Sequence, residues 1–215
     1  MRETFRAALE RLTDDLARAA RLAGQMMTQA STALSQSDLG LAELVISSMG
    51  ELRALCESMD QRCATLLALQ APVATDLRMV IAAMRVVSDV ERMCALAQHV
   101  ATIARMKHPT APIPGDVRPV FARMSLLATS LAQDAATAIE KRDPLSGGRL
   151  AEIDDEVDAL RRHTFRILFA KDWSHGVEPA VDAALIGRYY ERFADHAVAI
   201  ARQVSFLATG LAPER

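Results

Sequence analysis

Apolar residues recur along this chain at alternating steps of four and three. The first set is Phe5, Leu9, Leu12, Leu16, Ala19, Ala23, Met26, Ala30 and Ala33. That spacing draws one stripe down a helix, close to the heptad period. Ser37-Asp38 supplies an N-cap for a second helix from Leu39, which carries Leu52, Leu55, Met59, Leu66 and Leu67. It must end before Pro72, because proline disfavours helical backbone in the residue preceding it. Thr75 or Asp76 is placed to cap a third helix bearing Leu77, Val80, Met84, Val87, Val90, Cys94 and Ala97, which fades near Met106.

Pro109, Pro112 and Pro114 then break the periodicity, and the segment predicts an extended linker. A fourth helix starts near Asp116 or Val117, tolerates Pro119 in its first turn, and carries Val120, Met124, Leu127, Leu131 and Ala138. Asp143-Pro144 predicts the cap and first position of a fifth helix, reaching Phe169 with Gly147 and Gly148 exposed. Gly176 interrupts, Pro179 opens a sixth helix to about Leu207, and Gly210 and Pro213 close the chain. Six long helices about a Pro-rich break predict an all-α fold of two tandem antiparallel three-helix bundles. The first spans 1–108, the linker 109–116 and the second 117–215.

Composition supports helices: half the residues are apolar, but only 4% are aromatic and β-branched runs are short. A net charge of −2, with no interleaving of basic and aromatic residues, argues against nucleic-acid binding. No apolar run approaches the roughly 20 residues of a membrane helix, and the N-terminus lacks a signal peptide's apolar core. No direct membrane insertion is expected. Cys56, Cys63 and Cys94 form no metal or disulfide spacing and suit a reducing cytoplasm. Cys56 and Cys63 share one helical stripe and are expected to be buried thiols.

Candidate chemistry centres on the stretch from Arg188 to His196. Glu191 and Asp195 lie one helical turn apart, and two like charges there repel unless a third group compensates. The helical wheel sets them opposite the seam of Ile186, Tyr189, Phe193, Ala197, Ile200 and Val204, which predicts an outer or inter-helix face. Asp154 and Asp158 repeat the spacing on the fifth helix, and an antiparallel neighbour brings the pairs together. Four convergent carboxylates suit a hard cation, iron or manganese. Arg162, Arg188 and Arg192 are also placed to make surface ion pairs with Asp158, Glu191 and Asp195, so both explanations stand.

His163, His175 and His196 do not make the Glu-x-x-His spacing of bundle di-iron enzymes, and His196 is expected as a polar residue beside the seam. Tyr189 and Tyr190 are expected to pack with a wet or bonded hydroxyl. No phosphate-binding Gly-rich loop or activated Ser or Cys arrangement is present, so no enzyme activity is expected. One hundred positions earlier the Glu-Arg pair recurs as Glu91-Arg92, but the acid one turn on is replaced by Ala95. That echo supports an internal duplication.

The segment Leu66-Leu-Ala-Leu-Gln-Ala-Pro-Val-Ala-Thr-Asp-Leu-Arg78, the run 81–92, residues 188–197 and the closing 204–210 together resemble the PhoU family. That family is associated with the bacterial phosphate-specific ABC transporter. The resemblance implies a cytoplasmic adaptor, often a homodimer, held at the inner face of the membrane through its partners. Those partners are the transporter's ATPase subunit and a sensor histidine kinase. The adaptor is a negative regulator of the phosphate-starvation response and of uptake.

Carried over by position, the family's acidic metal site in the second bundle is Asp154, Asp158, Glu191 and Asp195. In the first bundle only Glu91 remains, with Met49 and Arg53 at the other positions, so that site is expected to be dead. Arg78, Arg85, Arg92, Arg188 and Arg192 are candidate partner contacts. The alternatives are a carboxylate-bridged metal enzyme or store, which shares the acidic pairs but lacks the histidine ligands, and a plain coiled-coil scaffold.

Overall fold

The structure, a computed structural model, describes residues 2–209. It contains six α-helices and no strand among the described residues. These are α1 (Arg2–Gln36), α2 (Leu39–Gln70), α3 (Ala74–Lys107), α4 (Arg118–Lys141), α5 (Ser146–Leu168) and α6 (Val177–Thr209). The expected closing Gly210 and Pro213 lie outside the described residues.

The local signals succeed where a side chain can satisfy a helix end. The Asp38 carboxylate accepts from the Leu41 amide at 3.0 Å and caps α2. At α3 the expected cap is wrong: the helix begins at Ala74 after Val73, with no side-chain cap, and the Thr75 hydroxyl instead accepts from Arg78. Asp143 still turns the chain, accepting from the Leu145 amide, but α5 begins two residues after Pro144, at Ser146. Gly147 is buried, not exposed as expected. A Cβ there would come within 3.2 Å of the Ser205 hydroxyl on α6, so the missing side chain permits the α5–α6 approach.

Helices α1–α3 pack together, as do α4–α6. The two sets join through α1 against α4 and α3 against α6. Both joints are antiparallel. Along α1–α4, Arg21 meets Glu140, Gly24 meets Ala132 and Thr28 meets Thr129. Along α3–α6, Arg85 meets Gln203, Asp89 meets His196, His99 meets Tyr189 and Lys107 meets Asp182. Helices α2 and α5 lie on the flanks.

The apolar residues form one continuous cluster reaching from Leu9 to Val204, so the repeats share a core. This wide burial explains why single-stripe reasoning misplaced some residues. Leu77 and Met84, expected on the α3 seam, are partly exposed, while Ala83, Val86 and Met93 are buried beside Val80, Val87, Val90 and Cys94. The Pro-rich segment is docked, with Ile113 and Val117 buried; Gly115–Val117 forms a 3-10 turn leading into α4. All three thiols are buried.

Candidate functional site

Helices α5 and α6 run antiparallel, and this brings Asp154 and Asp158 into the neighbourhood of Glu191 and Asp195. Burial first, then the charges of Asp195, Asp158 and Glu191, push the Asp154 carboxyl up to about 7. One of its oxygens, Oδ1, is buried without a hydrogen-bond partner. The other three carboxylates are answered by guanidinium groups. Arg188 grips both oxygens of Glu191, and Arg161 stands 4.0 Å from the same side chain. Arg192 donates to Asp195 at 3.2 Å, and Arg162 faces Asp158 at 3.8 Å.

Glu191 takes the inter-helix alternative of the helical-wheel expectation, not the outer one. It is 7% exposed, buried under the α5 flank, because α6 is covered over more than half its circumference. Arg161 was not foreseen as its partner. No spacing rule within one helix connects α5 to α6, so only packing could reveal it.

Among the described residues, no three carboxylate, imidazole or thiol groups are gathered as a ligand sphere. In chemistry the set nevertheless fits a hard cation, with an orphaned buried carboxylate oxygen beside three further acids. The arginines now paired with Glu191, Asp195 and Asp158 compete with any such ion.

The first-repeat counterpart is different. Arg53 Nε stands 3.8 Å from Glu91 Oε1, and Met49 is buried. Asp60, which no spacing pointed to, lies close enough to Glu91 that burial and this charge raise its carboxyl above the ordinary range. The buried Cys56 and Cys94 thiols are also raised, first by burial, with Glu91 contributing.

The five candidate arginines do not share one face. Arg78 bonds Thr75 at the start of α3, Arg85 bonds Gln203 across the repeats, and Arg188 is engaged with Glu191. Arg92 and Arg192 converge on one groove with His99 and His196. His196 is half-buried and meets Asp89 of α3 at 2.9 Å, a contact between repeats that the seam did not foretell. Of the two tyrosines, Tyr190 is the buried one, its hydroxyl 2.7 Å from Ser31 on α1, whereas Tyr189 stacks on His99.

The family model for the PhoU domain matches this chain twice, over residues 16–104 and 121–204. The chain belongs to the PhoU family. Both PhoU copies contain a carboxylate position discussed above, Glu91 in the first and Asp154, Asp158, Glu191 and Asp195 in the second. The phosphate-specific transport system accessory protein PhoU homolog 2 of Mycobacterium tuberculosis is 45% identical, over 99% of this chain and 100% of the relative. PhoU homolog 1 of Mycobacterium leprae is 44% identical, over 100% of this chain and 96% of the relative. The crystal structure of PhoU from Pseudomonas aeruginosa superposes with a TM-score of 0.87 at 25% identity, covering 96% of this chain and all of that one. The duplicated all-helical fold expected from the sequence is therefore that of PhoU.

Proposed function

We propose that this chain is a regulatory adaptor of phosphate-specific transport. It links the transporter's ATPase subunit to a sensor histidine kinase and holds the phosphate-starvation response off when phosphate is plentiful. The observation that carries this reading is full-length similarity to relatives named as accessory proteins of the phosphate-specific transport system. An adaptor works by binding two states of a partner unequally and needs no catalytic step. Its surface offers docking material at one turn within each repeat. Leu69, Val73, Leu77 and Ile81 are exposed at the α2–α3 turn, and Phe169, Val177, Val181 and Leu185 at the α5–α6 turn. No helix among the described residues is long and apolar enough to cross a membrane. Self-association as a homodimer belongs to the same proposal. Deleting the gene should raise phosphate-regulon expression in phosphate-rich medium, and unchanged expression counts against the adaptor.

A second reading concerns the acidic cluster, and the orphaned Asp154 oxygen favours it. Asp154, Asp158, Glu191 and Asp195 would hold a divalent or iron ion in the second repeat only. The ion would supply positive charge where like charges now crowd. Metal analysis of the purified chain tests this; loading of both repeats overturns the asymmetry.

A further inference from the structure

Helices α3 and α6 cross antiparallel, so repeat-equivalent residues approach each other only at the pseudo-twofold axis relating the two copies. Arg92 and Arg192, one hundred positions apart, are such a pair. They line a groove of about 330 Å³ with Ala95, Leu96, His99 and His196. That size lies within the roughly 300–1,000 Å³ typical of small-molecule sites. No carboxylate lines it. We infer that this groove binds a small phosphate-class oxyanion between Arg92 and Arg192.

Three observations lead there. The first is the state of Arg92. On α6, Arg192 is answered by Asp195 three residues on, at 3.2 Å. On α3 the equivalent position is Ala95, and the Arg92 side chain has no hydrogen bond or ion pair among the described residues. With Ala95 where the second repeat has Asp195, Arg92 faces the groove as a bare cation. The second is the pairing of two like charges across one opening. Two guanidinium groups there repel, and their planar donor forks match a tetrahedral oxyanion in charge and geometry.

The third is that both imidazoles are held from behind. His196 uses Nδ1 on Asp89 at 2.9 Å, which leaves its other ring nitrogen for the groove. His99 is stacked on Tyr189 with ring centroids 5.1 Å apart. Ala95 and Leu96 add a small apolar floor. The remaining arginines named above, Arg78, Arg85 and Arg188, do not line this opening and have partners elsewhere.

The chemistry suits free orthophosphate and the phosphoryl group of a small metabolite alike. The inference does not depend on the adaptor reading, since binding is a property of the purified chain alone. Calorimetric titration of the full chain with inorganic phosphate, and separately with ATP, at constant ionic strength and with chloride as control, tests it. Saturable binding of phosphate assigns the free ion, and saturable binding of ATP alone assigns a phosphorylated metabolite.

Arg92→Ala and Arg192→Ala should each weaken binding roughly ten- to hundred-fold, the loss of one charged hydrogen-bonding partner. Arg85→Ala, outside the groove, should leave it within about two-fold. Both groove arginines are exposed, so the variants should keep the helical circular dichroism of the parent. Absence of saturable heat with both anions overturns the inference. So does unchanged affinity in the Arg92→Ala/Arg192→Ala double variant.

Discussion

Asp154 is the residue under greatest electrostatic load. Its carboxyl is raised to about 7 in the folded chain by burial and by four neighbouring acids, against about 3.9 when unfolded. Below the lower value the group is neutral in both states and costs nothing. As pH climbs from there to 7, the unfolded chain ionises first and stability falls; above 7 the penalty is constant. Asp154→Asn should therefore raise the melting temperature at pH 8 and leave it unchanged near pH 4. Allowing for solvent screening of a half-buried group, the gain is about 1–2 kcal/mol, roughly 2–8 °C for a chain this size. Thermal melts across that range check the sign. A rise that persists at pH 4 would point to packing in place of charge.

Asp195 is partly exposed and turned from the core, so, on the proposed metal reading, Asp195→Ala should lower metal content without loosening the bundle. A fall in melting temperature in metal-free buffer would make the residue structural. Tyr190 is enclosed, and burial pushes its phenol up to about 12. Tyr190→Phe leaves the Ser31 hydroxyl without this partner and should cost about 1 kcal/mol, read by urea denaturation.

Individual helices follow from the four-three alternation because burial of one stripe needs only a neighbour, not a particular neighbour. Hence every α1 and α4 seam residue except Phe5 is buried as expected. Which helix meets which is decided by side chains far apart in sequence, and there the local pattern was silent. It missed Arg161 against Glu191, Asp89 against His196 and the burial of Gly147. The acidic quartet was half legible: spacing within α5 and within α6 named the residues, but not the arginines that hold three of them. An antiparallel neighbour suffices to set the pairs side by side, and the family resemblance names them as one set, since it carries the topology that periodicity lacks.

Gly24 shows what an element contact can require. A Cβ there would stand 3.0 Å from the Ala132 Cβ of α4, so α1 and α4 meet nearly backbone to backbone. Gly24→Val should force these helices apart and cost roughly 1–3 kcal/mol, measured as a lower urea midpoint. Gly50→Ala, which meets nothing within 4 Å, is the matched control and should be neutral or better.

At the scale of the molecule, the two repeats are one folding unit. The core runs without a break from α1 through α3 and α6 to α4, and each repeat alone would expose the faces it now turns to the other. Denaturation followed by circular dichroism and by Trp173 fluorescence should give one coincident transition. Trp173 lies in the turn before α6 and packs on that shared core, so it reports the second repeat. Two separated transitions would mean that the joints α1–α4 and α3–α6 are weaker than the bundles they connect.

The placement of the cysteines turns this into a matter of time. Cys56, Cys63 and Cys94 are all enclosed, all in the first repeat, and burial raises each thiol so that little reactive thiolate forms. The second repeat has none. A thiol reagent in the surrounding solution can therefore act only when the first repeat opens, and each labelling event marks one opening. The native chain thus carries its own clock, wound on one side of the duplication. If the halves part together, that clock keeps the pace of whole-chain unfolding; if the first half breathes alone, it runs fast.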